Sequence, residues 1–523
     1  MLRLLSPLLL ICFFYTANAQ DCIPAAMKLP VVQPAITADG EHDYALIDRY
    51  LARSMMVAGI TNRLGKPGYC EQINMFRRLK PSYLSRVAGS WGMPETDLLP
   101  GGKLFSITRQ FIRDIHLVYS NDDTPLPVIE AGIYEAITTD VNKIRVPDHV
   151  LDVFRSDPDM AGLKYSPKRP LYFNAEAMRN ASFPEWLPQC WPPDINRIQT
   201  RMWFYYMCTI FIDMGCNSMH MGWFEMITNH DTAYVKTHDL FQKIRAYAKS
   251  KGTFAIINAD IDRALYVNGS NRLLLDFLTT PVRPDPTSNS YRHSPCEGQP
   301  MAELNLSKYL PGILNKSGGI SPQGDTIESV PVLFNLDWYG IGFRGKHPGI
   351  MGMGDGAWAP WGVNETIWYY SLTPTCQAYW LKHVTAAIKN KLVKRGYFKM
   401  PAVQPLTWWG YPVTEYLLIG YPEVMQTIAD EIWKVNTQSY FTITKDTNGH
   451  QYTLDVINPD YTSVYTWYIQ HTGNGKWLPY TFGNQRVLAN LEPGKYKVLL
   501  RQDNTALPGY IPALEYDKEL IVE

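Results

Sequence analysis

Apolar positions in the first four fifths of this chain alternate between helical and extended spacing. Leu104, Ile107, Phe111, Ile115 and Val118 recur every three or four residues, which predicts an amphipathic helix over 104–118. The next apolar run, 127–137, is short, partly β-branched and bounded by a proline-containing turn, as is typical of a buried parallel strand.

The same order recurs in the middle of the chain. Residues 201–214 predict a nearly all-apolar helix that ends at Gly215. A buried strand carrying polar groups over 216–225, a helix over 235–250 and a strand over 254–262 follow.

Weaker segments extend this alternation on both sides. An apolar run at 29–36 predicts a strand before a helix over 44–57. Residues 331–340 predict another strand, 400–406 a last strand and 422–433 a closing helix.

The pattern changes after Lys434. Short alternating runs at 440–444, 452–456, 465–469 and 496–500 are separated by turn residues, which predicts a small β-sandwich. We therefore expect two domains, 20–435 and 436–523.

Repeated strand-helix units predict an α/β fold, either an open doubly wound sheet or a closed (β/α)₈ barrel of the TIM type. An open dinucleotide-binding sheet would normally carry G-x-G-x-x-G after its first strand, and no such motif follows the first predicted strand here. We prefer the barrel for 20–435, followed by the all-β sandwich.

The first 19 residues have the organisation of a secretory signal peptide. Arg3 precedes an apolar run over 8–15, and Ala17 and Ala19 form an A-x-A cleavage site. We expect cleavage near Ala19 and a secreted or periplasmic protein. No later stretch reaches about 18 uninterrupted apolar residues, so we expect no membrane span.

Removal of that segment leaves seven cysteines, so at least one thiol stays unpaired or pairs outside the chain. Cys22 and Cys70 are a plausible bridge in an oxidising compartment. Cys208 and Cys216 lie in apolar surroundings and are interpreted as small buried hydrophobic residues.

Composition narrows the function. Hydrophobic residues make up 46% of the 523 positions against 19% charged, which excludes disorder. Lys and Arg (49) balance Asp and Glu (49), so no overall positive charge attracts nucleic acid. Aromatic residues, 13% of the chain, fill a core or line a cleft that binds flat, partly polar ligands.

In a barrel, reactive groups gather at the C-terminal ends of the strands. Acidic residues fall at such predicted ends at Glu135, Glu225, Asp260, Asp262 and Asp337.

Residues 213–222, Asp-Met-Gly-Cys-Asn-Ser-Met-His-Met-Gly, with the following helix and strand, resemble secreted bacterial barrel proteins of the glycoside-hydrolase type. The resemblance spans about 201–262, with a weaker likeness at 129–147. It implies a secreted (β/α)₈ glycosidase-like protein and assigns no nucleophile.

Glycoside hydrolysis generally needs two carboxyl groups astride the scissile bond, one a proton donor and the other a nucleophile or a base. Glu225 is the first candidate donor, because Trp223 and Phe224 can desolvate a carboxyl and raise its pKa; an ordinary strand-end salt bridge is the alternative. Asp337, beside Trp338, is the preferred second carboxylate.

Asp260 and Glu135 are rival candidates for these two roles. His220 can hold a carboxylate or a sugar hydroxyl, or be a core histidine. Four tryptophans are candidate stacking platforms for sugar rings, with core packing as the alternative: Trp223, Trp338, Trp408 and Trp409.

Other chemistries lack their usual motifs. There is no H-E-x-x-H and no cysteine and histidine cluster at ligand spacing, so we expect neither a catalytic metal nor another cofactor. G-x-S-x-G and the P-loop are also missing. The sequence thus favours a glycoside hydrolase that cleaves O-glycosidic bonds of an oligo- or polysaccharide. Its rivals are a non-catalytic glycan-binding protein on the same scaffold and a structural cell-envelope protein.

Overall fold

The structure, a computed structural model, has a central sheet of short parallel strands. The structure describes residues 42, 44–57, 69–89, 95–119, 126–185, 188–282, 284–285, 293–299, 303–304, 317–336, 369, 372–391, 395–401, 424, 427–433, 441–446, 451–456, 463–476, 478–479, 481–483, 485–504 and 514–522. The strands of the central sheet are β1 (Ser54–Met56), β2 (Tyr83–Ala88), β3 (Val128–Gly132), β4 (Ser218–Trp223), β5 (Ile256–Asp260), β6 (Phe277–Pro281), β7 (Val332–Asn335) and β8, in two parts (Gly396–Phe398 and Met400–Pro401).

The sheet curves round until its two ends meet. Neighbouring strands pair in parallel in chain order from β1 to β7. The first part of β8 pairs with β7, with Gly396 opposite Val332, and the second part pairs with β1, with Met400 opposite Met55. The result is a nearly closed parallel barrel, with its seam at Lys399 where β8 changes partner. This agrees with the predicted TIM-type architecture.

Helices lie between the strands. Six of them are labelled here: α1 (Ile47–Ala52), α2 (Tyr69–Leu79), α3 (Lys103–Tyr119), α4 (Ile198–Met214), α5 (Val235–Ser250) and α6 (Pro374–Lys391). Further short helices are Asp148–Phe154, Ala175–Met178 and Phe224–Thr228, and Thr427–Ile432 is a π-helical segment. The connection from β5 to β6 has only the 3₁₀ turn Val267–Gly269 in place of an α-helix.

Three predicted helices are confirmed by α3, α4 and α5. Gly215 ends α4 as expected: its φ is 107°, and its N–H donates to the Ile212 carbonyl at 3.0 Å. Only glycine adopts this left-handed conformation at little cost, which is why it commonly follows a helix.

Some boundaries were predicted wrongly. The expected helix over 44–57 ends at Ala52, and β1 follows. The prediction extended the helix too far because methionine is a good helix former. Met55 and Met56 instead pack as part of a buried strand. The strand expected over 216–225 stops at Trp223. The run 29–36 and residues 402–406 lie outside the described residues.

The barrel interior has an apolar layer near the N-terminal ends of the strands, formed by Tyr83, Val128, Ile256, Phe277 and Leu333. Side chains on a strand alternate between its two faces. The intervening residues, such as Ile129, Met219 and Ile257, therefore belong to the separate apolar layer between barrel and helices.

The C-terminal residues form two small antiparallel sheets. One contains β9 (Phe441–Lys445), β10 (Gln451–Val456) and β13 (Gln485–Ala489); the other contains β11 (Ser463–His471), β12 (Thr481–Phe482), β14 (Gly494–Asn504) and β15 (Leu514–Val522). Leu454, Trp467, Ile469, Val498 and Leu500 belong to their shared apolar core. This arrangement is consistent with the predicted sandwich.

Cys296 and Cys376 form a disulfide. Cys208 and Cys216 are buried and unpaired, as predicted, whereas Cys22 lies outside the described residues. Among the helices that the structure describes, none has the length and apolar character needed to cross a membrane.

Candidate functional site

A set of polar side chains lies above the apolar layer inside the barrel. Along β5, Ile256 belongs to that layer, and Asn258 and Asp260 follow at two-residue intervals on the same face. In the same way Glu130 follows Val128 on β3. The interior therefore changes from apolar to polar toward the C-terminal ends of the strands.

Glu130 is fully buried and is the centre of this polar layer. Its carboxylate accepts hydrogen bonds from the Tyr83 hydroxyl (2.5 Å), the Ser85 hydroxyl (2.5 Å), the Arg86 backbone N–H (2.9 Å) and the Asn258 amide (2.9 Å). Burial alone would raise the pKa of Glu130, but the positive charges of Lys399 and His220 and the bonds from Ser85 and Tyr83 lower it below its ordinary value. Glu130 is therefore a buried anion.

Asp260 lies at the end of β5, where its side chain is 18% exposed. Its Oδ2 is 3.0 Å from Arg86 Nη2 and 3.3 Å from His220 Nε2, and its Oδ1 accepts from the Thr279 hydroxyl at 2.5 Å. Burial would raise the pKa of Asp260, but the charges of His220 and Arg86 outweigh it and hold this pKa well below its usual range. Asp260 is thus an ionised carboxylate at the barrel mouth.

Arg86 reaches Asp260 because the backbone of β2 is irregular there. Its φ is 56°, in the left-handed region, and the pairing of β2 with β3 shifts between Leu84 and Ala88. Backbone strain of this kind in a non-glycine residue is concentrated at functional sites. The turn lets Arg86 bind Glu130 through its backbone and Asp260 through its guanidinium.

The hydrogen bonds determine the tautomer of His220. Since the Glu130 carboxylate only accepts, the Asn258 NH₂ group must face it, which directs Asn258 Oδ1 to His220 Nδ1 at 2.9 Å. Nδ1 therefore carries a proton. A neutral His220 accepts from Arg86 at Nε2 (3.2 Å), and a protonated His220 donates to Asp260 instead.

Glu135 lies three residues beyond β3, and its Oε2 accepts the backbone N–H of Trp223 at 3.0 Å. Trp223 is the ladder partner of Asp260, so Glu135 and Asp260 lie at adjoining strand ends. Gly222 makes this approach possible: a Cβ at this position would lie 1.8 Å from Glu135 Oε2.

Tyr134 is surrounded by the same charged groups. Its pKa is raised by burial first and by the negative charges of Glu130, Glu135 and Asp260, while Arg86 opposes the shift. Its ring contacts His220 edge to face, with centroids 6.1 Å apart. We call Arg86, Tyr134, Glu135, His220 and Asp260 the mouth cluster.

The structure brings together three of the residues singled out in the sequence: Glu135, Asp260 and His220 of the mouth cluster, with half-buried Trp223 beside them. Glu225 instead lies in the helix after β4, with a 45% exposed side chain that forms an ion pair with Arg263. Asp337, Trp338, Trp408 and Trp409 lie outside the described residues.

Sequence reasoning missed Arg86, Glu130, Tyr134 and Asn258. One signal was available for Glu130, which interrupts the apolar run Val128-Ile129-Glu130-Ala131. A carboxylate in the middle of a buried strand needs partners on other strands. Within the described residues no group of three or more His, Cys, Asp or Glu side chains is arranged to hold a metal ion.

No protein-family model and no curated protein matches this chain. Solved structures to which this chain shows a distant similarity include the Nostoc punctiforme debranching enzyme soaked with acarbose (9% identity, 90% of this chain and 97% of that one, TM-score 0.34). Others are a putative α-N-acetylgalactosaminidase of Bacillus halodurans (9%, 95% and 98%, TM-score 0.27) and a GH27 β-L-arabinopyranosidase of Geobacillus stearothermophilus (9%, 86% and 96%, TM-score 0.28).

Proposed function

We propose that the protein is a glycoside hydrolase that cleaves O-glycosidic bonds of a carbohydrate with the carboxyl groups of Asp260 and Glu135. The observation that supports this proposal is that both acids lie next to Trp223 at the C-terminal mouth of the barrel: Glu135 Oε2 accepts the Trp223 backbone N–H, and Asp260 is paired with Trp223 in the sheet. Two carboxyl groups in one opening are the minimum requirement for acid-assisted glycoside cleavage.

The environment of Asp260 suggests how the roles are divided. Arg86, His220 and Thr279 hold Asp260 ionised, which suits a nucleophile or a base that activates water. The proton donor is then Glu135, whose Oε2 is oriented by the Trp223 backbone. An acid and a base in separate environments can work at the same pH.

Half-buried Trp223, whose backbone contacts Glu135, is the proposed stacking platform for a sugar ring. We propose the same stacking role for Trp338, Trp408 and Trp409. The assignment of Glu225 as donor with Asp337 as partner makes a different prediction, since it requires activity to depend on Glu225.

The test is release of new reducing ends from a panel of oligosaccharides by the purified full chain. We expect D260N and E135Q to lower kcat/KM by about 10³-fold or more, because each removes a group used in the transition state. D262N is the matched control: Asp262 is two residues away, 52% exposed and paired with Arg263, so this variant should retain activity.

Two outcomes would contradict the proposal. Loss of cleavage in E225Q with full activity in E135Q would return the donor role to Glu225. Binding of oligosaccharides by the wild-type protein without cleavage would identify a glycan-binding protein on a barrel scaffold.

We also propose that the protein is exported. The Cys296–Cys376 disulfide supports this location, because disulfides persist in the periplasm and outside the cell and are rare in a reducing cytosol. Fractionation of the native host, with the protein recovered from the cytosol in its reduced form, would contradict it.

A further inference from the structure

A second group of reactive side chains lies at the same end of the barrel. Ser182 and Asp194 belong to the long connection between β3 and α4, and His230 belongs to the connection between β4 and α5. Both connections leave the barrel at the C-terminal ends of their strands, the face that carries the active sites of TIM-type barrels. None of these residues contributes to the mouth cluster.

The three side chains are hydrogen-bonded in series. The Ser182 hydroxyl is 3.0 Å from His230 Nε2, and His230 Nδ1 is 3.0 Å from Asp194 Oδ2. Because a carboxylate only accepts, Nδ1 carries the proton and Nε2 presents its lone pair to the hydroxyl. This is the tautomer that a general base requires.

Exposure changes along the series in the direction that catalysis needs. The Asp194 side chain is 5% exposed, that of His230 is 43% exposed, and Ser182 is exposed. The acid is shielded from water, whereas the hydroxyl can reach a substrate. An acid, a base and a nucleophile in this order form the arrangement by which serine hydrolases activate their nucleophile.

Neighbouring groups hold both ends of the series in place. Asp194 Oδ1 accepts the Asn196 backbone N–H at 2.9 Å, and the Asn196 side chain donates to the His230 carbonyl. The Ser182 backbone N–H donates to the side chain of buried Asn180 at 3.0 Å. Asn180 in turn donates to the Met226 carbonyl at 2.7 Å, which joins the serine loop to the chain leading to His230.

We propose that Ser182, His230 and Asp194 form a second catalytic site, an esterase site that transfers acyl groups. Ser182 Oγ attacks the carbonyl carbon of an ester while its proton passes to His230 Nε2. The ester C–O bond breaks, and the departing alcohol takes that proton. Water, deprotonated by His230, then hydrolyses the acyl-serine, so that an ester and water give an acid and an alcohol.

The exposure of Ser182 indicates the substrate class. The hydroxyl lies at the surface, so the site suits a short acyl ester carried on a larger molecule that lies across the open face. This inference does not depend on the glycosidase proposal, because the two sites share no residue.

The experiment measures hydrolysis of 4-nitrophenyl acetate and covalent labelling by a phosphonofluoridate, located by peptide mass spectrometry. General-base assistance typically contributes about 10²- to 10⁴-fold, so S182A and H230Q should lose at least about 100-fold in ester hydrolysis. The label should be found on Ser182. S250A is the matched control, since Ser250 is also exposed but donates to the Tyr247 carbonyl instead of a histidine.

D194N tests the hydrogen bond between His230 and Asp194. The amide that replaces the Asp194 carboxylate would offer an NH₂ group or a weaker acceptor to His230, so ester hydrolysis should fall about as far as in H230Q. Thermal unfolding checks that each variant is folded. If D194N does not fold, S182A still tests the proposal, because Ser182 is exposed and its replacement should not affect folding.

Absence of labelling in the wild-type protein, or equal ester hydrolysis by wild type and S182A, would overturn the proposal. The two sites are distinguished by their variants: D260N should retain ester hydrolysis, and S182A should retain any release of reducing ends.

Discussion

Gly222 allows Glu135 to approach the barrel mouth. If Glu135 is the proposed proton donor, G222A should impair glycoside cleavage more than stability. Alanine at this position would place its Cβ 1.8 Å from Glu135 Oε2. Since real Cβ contacts essentially never fall below 3.0 Å, the carboxylate must move by at least 1.2 Å. A move of this size takes Oε2 away from the Trp223 N–H, which it now accepts at 3.0 Å.

The expected magnitude has two separate parts. Misplacing a reacting group by about 1 Å costs about 100-fold in rate, and we expect this loss in kcat/KM. The φ of 63° at Gly222 adds a backbone cost. An alanine in the left-handed region is less stable than glycine there by about 1–2 kcal/mol, which should appear as a lower free energy of unfolding.

G252A separates these two parts. Gly252 has a φ of 71°, and no atom lies within 4 Å of an added Cβ, so this variant has the backbone cost alone. Unfolding in urea and release of reducing ends are measured for both variants. We expect similar destabilisation in both and loss of activity in G222A only.

The double variant G222A/E135Q should be no less active than E135Q, because both changes act on the same carboxyl. Full activity in a folded G222A, or an equal loss of activity in G252A, would refute the role of Glu135.

Three further predictions concern stability. E130Q replaces a buried anion with an amide that cannot accept at both ends, so the free energy of unfolding should fall by about 1–3 kcal/mol at neutral pH. The lowered pKa of Glu130 gives a stability contribution that is present above about pH 4.3 and lost as the pH falls. E130Q should therefore lose less stability at acid pH than the wild-type protein. An equal loss of unfolding free energy at acid pH in both proteins would contradict this. Burial raises the pKa of Glu95 to about 7, against bonds from Thr138 that lower it. Its protonated form therefore stabilises the fold below about pH 4.3, and this contribution is lost as the pH rises through about 7. In E95Q the free energy of unfolding, measured in urea, should depend less on pH over that range. The same pH dependence in E95Q and the wild-type protein would argue against this role. Reduction of the Cys296–Cys376 disulfide, which joins residues 80 positions apart, should lower the free energy of unfolding by about 4 kcal/mol, and an unchanged urea midpoint in dithiothreitol would contradict this.

The barrel could be predicted from sequence where most residues of a segment are apolar and keep a helical or extended spacing. The units around 104–137 and 201–262 met this condition, and α3, α4 and β5 were found there. Strand β2, with Ser85 and Arg86 in its middle, did not. These polar side chains contact Glu130 and Asp260 on other strands, so local pattern alone gives no reason to expect them in a buried strand.

The site was predictable only in part for the same reason. Asp260 and Glu135 were recognisable as acids at or just beyond strand ends, because strand ends follow from the apolar pattern. Glu225 had the same local signal, but β4 stops at Trp223 and the next residues turn into an exposed helix. Which acids face each other depends on strand register and closure, and these are set by contacts distant in sequence.

The order of layers inside the barrel explains why Asp260 is held so firmly. The apolar layer that includes Val128 and Ile256 lies below Glu130 and Asn258, which fixes the direction in which these two residues bond. Asn258 then sets the tautomer of His220, and His220 together with Arg86 holds Asp260. The partners of Asp260 come from barrel strands and not from the surface loops. The fold itself therefore fixes the geometry of Asp260. Under the proposed glycosidase function this matters, because groups organised in advance stabilise a transition state at no cost in reorganisation.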